Sequence, residues 1–239
     1  MAGGEVTEGF GPVLEVFGRL GVGAVNIPAI RATIEMAKSH EMATGHLRIM
    51  LTRQLPTLHT AIHLPQPQPL AALLEFVTAY IDHAPNCLEA AAAITAEAQI
   101  ENQTWPLLQL AEDYFLKPSE LTDKRIGLNE LLDEAYLAHR LLEEINDRYR
   151  VEAGIPLLPV DMTIANLIGH HLIGEPFANE LDEAVHFSVE QLLHRHPPAA
   201  DHAFQDYVEA HRDNRWEQER QRWPCLTQEL AVDLQLTGF

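Results

Sequence analysis

The chain reads as all-α, a multi-helix bundle, and three observations predict it. Apolar residues recur at helical spacing over long stretches, prolines and glycines fall where those stretches stop, and no run of alternating β-branched and polar residues is long enough for a convincing strand. Leu70, Leu73, Leu74, Val77 and Ile81 follow the i, i+3, i+4, i+7, i+11 series of one helical face. Ala84-Pro85 is expected to end that helix, because proline cannot continue the hydrogen-bond ladder.

Asn86 and Glu89 then read as a capping box that opens the next helix. That helix runs through the alanines 90 to 93, meets Pro106 as a kink or restart, and continues to about Leu116. A long helix from about Ile126 to Glu152 carries Leu128, Leu131, Leu132, Ala135, Ala138, Leu142 and Ile145 on one side, with Gly154 and Pro156 as its stop. Asp161 caps a shorter apolar helix ending at Gly174. Pro176 fits the first turn of the next, whose stripe is Phe177, Leu181, Ala184, Val185, Ser188 and Leu192 before Pro197-Pro198. Helices over about 201 to 223 and 227 to 236 complete the set.

Residues 63 to 69, HLPQPQP, and 117 to 124, KPSELTDK, read as connections. They suggest an N-terminal helical part, 1 to 116, and a C-terminal one, 125 to 239, packed together as one globular unit or as two helical subdomains. No repeat of fixed period and no low-complexity tail interrupts this organisation.

A net charge of -19 repels phosphate backbones and anionic headgroups, so neither nucleic acid nor a membrane surface is the expected partner. Trp216 and Trp223 lie among Arg212, Arg215, Arg220 and Arg222. Interleaved Asp213, Glu217 and Glu219 favour tryptophans docked on the bundle over a nucleic-acid contact. Met162 to Ile173 is the longest strongly apolar stretch and falls short of the roughly 20 residues that span a bilayer. The opening residues lack the basic start and apolar run of an export signal, and Cys87 and Cys225 form no metal or disulfide spacing pattern, so a cytoplasmic location is expected.

Thirteen histidines raise the question of a metal, because imidazole is its commonest ligand. Glu183-Ala184-Val185-His186 has the Glu-x-x-His spacing that ferritin-like di-iron bundles place on two helices. Only one copy occurs here, and it projects away from the apolar stripe of its helix. On the long helix, His139 and Asn146 fall within the stripe, with Glu143 one turn from His139 at its margin. Glu101 sits beside the buried side of its own helix, and Glu97 lies farther out. Of the adjacent His170 and His171, one is expected buried and one exposed.

Glu101, His139, Glu143, Glu183 and His186 together supply the ligand types of a carboxylate-histidine iron or manganese site. On that reading the chain is a nonheme metal-dependent oxidoreductase with an oxygenase-type centre in an internal polar pocket. The rival reading is a non-catalytic acidic adaptor, chaperone or inhibitor that binds a protein partner, its histidines being structural; across the two readings the expected partner is a small molecule or a protein, and a homo-oligomer is compatible with either.

Overall fold

The computed structural model describes residues 24–117, 127–154, 156–158, 160–195, 202–211 and 232–234. Two helices precede those expected from the periodicity: α1 (Ile27–Thr44) and α2 (His46–Gln54), the latter ending in a 3₁₀ turn, Leu55–Thr57. The Asn26 side chain caps α1 by accepting from the Ala29 amide, and Ile27, Ile30, Ile34 and Ala37 form its buried stripe. Gly45, at φ 66°, ends α1, where an L-residue would be strained. The Glu41 carboxylate then accepts from the amides of Leu47 and Arg48, filling two of the open donors of α2.

The largest departure from expectation follows. Pro85 does not end a helix: α3 runs unbroken from Pro69 to Glu97, so Asn86 and Glu89 form no capping box. An internal proline costs about 3 kcal/mol of helix stability. Here that cost is offset by burial, since Leu73, Phe76, Val77, Tyr80, Ile81, Ala84, Cys87, Leu88 and Ala91 are all in the core. Leu70 and Leu74, expected on the same buried face, lie at its margin.

The real break comes at Ala98–Ile100. Gln99 takes the left-handed conformation usual for glycine, φ 58°, and the Ile100 amide bonds back to the Thr95 carbonyl in a Schellman-type end. Helix α4 (Glu101–Leu116) begins there and includes Pro106 in its interior.

Helix α5 (Leu128–Ala153) is close to the expected span, and Gly154, at φ 82°, closes it. Its whole predicted stripe is buried. Helix α5 packs against α1, α3 and α4, and against the two helices that follow it, α6 (Thr163–Ile173) and α7 (Phe177–Arg195). The Asp161 carboxylate accepts from the Thr163 amide at the start of α6, as its sequence position suggested. On α7 the buried line is Ala178, Val185, Val189 and Leu193, rotated from the predicted stripe, and Phe177 is exposed.

The last described helix is α8 (His202–His211), where Phe204 is buried. Residues 233 and 234, expected within a terminal helix, instead form β2 (Asp233–Leu234), which pairs antiparallel with β1 (Ile62–His63). Trp216 and Trp223, and most of the 117 to 124 connection, lie outside the described residues. The fold is thus an all-α multi-helix bundle with, among the described residues, one two-residue strand pairing. Among the described residues, no helix is long and apolar enough to cross a membrane.

Candidate metal centre

Because α3 continues through Pro85, His83 and Cys87 stand one turn apart on the same side of one helix. Cys87 is buried and His83 is half-buried. The Cys87 sulfur lies 3.1 Å from Nδ1 of His83. Opposite them, α5 brings in His139, whose ring is fully buried and lies 5.6 Å, centroid to centroid, from that of His83. One ligand atom from each of His83, Cys87 and His139 fits within a mutual span of 4.8 Å, and no other such grouping of His, Cys, Asp or Glu occurs among the described residues.

The orientation of His139 is set by α3. Its Nε2 is 2.9 Å from the carbonyl oxygen of Tyr80, and a carbonyl only accepts, so Nε2 carries the proton. Nδ1 therefore holds a lone pair. That atom is buried and has no hydrogen-bond partner. An unsatisfied buried acceptor costs about 1–3 kcal/mol, so its persistence calls for an explanation.

Burial keeps all three groups neutral. It pushes His139 down from 6.5 to about 3, helped by neighbouring His83 and opposed by the Tyr80 carbonyl. It lowers His83 to about 4 and drives the Cys87 thiol upward. Two neutral imidazoles and a thiol are what a thiophilic ion would meet: nitrogen donors, and one proton to displace from sulfur.

Of the five residues suggested by sequence, only His139 belongs to this trio. Glu143, one turn along α5, is engaged in a different network. Its Oε1 accepts from the Thr163 hydroxyl at 3.0 Å, and its Oε2 accepts from Asn166 at 2.7 Å and from Arg140. Arg140 and the Tyr136 hydroxyl both donate to Asp182, each at 2.8 Å, and the Tyr80 hydroxyl donates to Asn166 at 2.7 Å. These bonds tie α6 and α7 to α5 and hold Tyr80, whose carbonyl positions His139.

Glu183 is exposed, and His186, also exposed, lies 3.3 Å from Glu144 across to α5. Glu101 is half-buried in the first turn of α4, where a carboxylate complements the helix N-terminus. Asn146 satisfies both backbone groups of Leu158, donating to its carbonyl and accepting from its amide. His170 and His171 are both half-buried rather than divided between core and solvent: His170 faces Asn179 and Asp182, and His171 accepts from the His59 amide.

Comparison with known proteins finds no matching family model, no similar curated protein and no similar solved structure.

Proposed function

We propose that this protein is a metal-binding helical bundle that holds one transition-metal ion between α3 and α5 on His83, Cys87 and His139. The observation that carries this reading is the buried, unpartnered Nδ1 of His139, set in place by the Tyr80 carbonyl next to a second imidazole and a thiol. Metal–nitrogen bonds of about 2.0 Å and metal–sulfur bonds of about 2.3 Å put ligand atoms roughly 3.5–4 Å apart. The candidate ligand atoms lie within 4.8 Å of one another, with the Cys87 sulfur 3.1 Å from Nδ1 of His83, so the observed separations bracket that spacing.

The ligand set differs from the carboxylate-rich one that oxygen-activating iron or manganese centres use. Thiolate and imidazole suit a softer ion, and the burial of Cys87 and His139 suits one that stays resident. The competing reading, a metal-free packed trio in a non-catalytic adaptor, draws on the Cys87–His83 contact, a thiol and an imidazole satisfying each other at 3.1 Å. It leaves Nδ1 of His139 unexplained.

Metal analysis of the untagged full chain decides between them. Near-stoichiometric metal in the parent, lost in Cys87→Ser with helicity retained, supports the site. Metal content that is negligible after expression in supplemented medium, or unchanged by Cys87→Ser, refutes it.

A further inference from the structure

We infer that protonation of His171 on α6 unfastens the turn that launches β1, so that the β1–β2 pairing at this corner of the bundle opens as the surroundings become acidic. The geometry starts with the chain that leaves α2. Gln54, the last residue of α2, donates from Nε2 to the Leu172 carbonyl near the end of α6, at 2.7 Å. Farther on, the backbone amide of His59 donates to Nε2 of His171 at 3.1 Å, and the two rings meet edge to face with centroids 6.2 Å apart.

A backbone N–H only donates, so Nε2 of His171 holds a lone pair and the neutral ring carries its proton on Nδ1. A proton on Nε2 sets N–H against N–H and removes the bond. The residues that follow depend on it. The Ile62 amide bonds back to the His59 carbonyl at 2.9 Å, closing the turn from which β1 starts, and Ile62 is buried. Within the turn, the Ala61 amide donates to Nδ1 of His59 at 3.2 Å, a second bond that needs an unprotonated imidazole nitrogen. The Gln54–Leu172 bond is indifferent to pH, whereas both histidine bonds are lost on protonation.

The strand pairing joins Ile62 to Leu234 and His63 to Asp233. So short a ladder is marginal by itself, and the turn that places Ile62 decides whether it forms. Val232, fully buried ahead of β2, keeps that stretch at the bundle, so the opening is local.

Partial burial first, then the His59 and His170 imidazoles, hold the His171 ring below the ordinary 6.5. The fastener is therefore closed above 6.5 and is lost as the pH falls through that lowered value. His170 is turned the other way, toward Asn179 and Asp182 of α7 at 3.0 and 3.6 Å, and meets Tyr136 of α5. A proton there strengthens the contact between α6 and α7 instead of opening it. His63 and Asp233 are the remaining ionisable residues of β1 and β2.

The test is nuclear magnetic resonance on the full chain, titrated from about pH 7 to about pH 5, the range in which imidazole changes charge. At the upper limit the His171 ring nitrogens should report the Nδ1–H tautomer. As His171 titrates, protection of the Ile62 amide against exchange, corrected for intrinsic rates, should fall by about tenfold while far-UV circular dichroism stays unchanged. Neither His171→Gln nor His171→Ala has a ring to titrate, so protection should be independent of pH in both, and lower in His171→Ala, which has no acceptor. Protection that persists in the parent at the lower limit, an Nε2–H tautomer at the upper limit, or an acid-induced fall of the same size in either variant would each overturn the inference.

Discussion

Two helical pairs of ligand-type residues can be set side by side: His83 with Cys87 on α3, and Glu183 with His186 on α7. Both have spacings that stack side chains on adjacent turns. The α3 pair faces a third helix and is withdrawn from water, so its groups are neutral and a neighbour's lone pair is stranded beside them. The α7 pair projects into solvent, and His186, whose side chain is 58% exposed, lies 3.3 Å from Glu144. Spacing along a helix is thus necessary for a site and says little alone. What distinguishes the two is whether a second element covers the face.

Acidification should separate the pairs most strongly. In the metal-free protein, His139 and His83 titrate near 3 and 4 when folded and near 6.5 when unfolded, so the unfolded chain takes up the extra protons. Their contribution to stability is complete above about 6.5 and is lost as the pH falls toward 4 and then 3. The expected loss is on the order of several kcal/mol by pH 4, read from urea midpoints with chelator present. His139→Gln should flatten that slope; a slope insensitive to His139 would break the comparison.

Next in size is metal affinity. Loss of a direct ligand should exceed the 10–100-fold effect typical of outer partners, so Cys87→Ser should weaken binding by about a hundredfold or more, roughly 2.7 kcal/mol. Glu183→Gln and His186→Ala should change it less than about twofold, as competition with a chromogenic chelator would show.

Asn166→Ala tests the support behind the site. It removes the acceptor of the Tyr80 hydroxyl and a donor to Glu143, and should cost about 1–3 kcal/mol by chemical denaturation. The smallest effect belongs to His186→Ala, within about 0.5 kcal/mol, since an exposed pair contributes little. A larger loss there would mean that the α7 pair is part of the packed structure.

The centre was only partly legible from the sequence. His139 stood out because a polar residue inside a long apolar stripe must be buried. Its partners did not, because reading Pro85 as a helix stop put His83 and Cys87 on separate elements and erased their shared face. The visible signal was the four-residue interval between a histidine and a cysteine in an otherwise apolar stretch. Asn166 was hidden for another reason: its importance comes from Tyr80 and Glu143, residues far away along the chain.

Local patterning by itself determined the helical class, the span and stripe of α5, the glycine stops at Gly154 and Gly174, and the burial of His139 and Asn146. Those features depend on helical periodicity and on backbone freedom at single positions, which neighbouring residues specify. Tertiary structure alone decided that α3 would pass through Pro85 and that α3 and α5 would face each other across His83, Cys87 and His139. The physical reason is energetic. A proline's cost of about 3 kcal/mol is overridden only when packing on other helices returns more, and that packing is a sum over contacts distant in sequence.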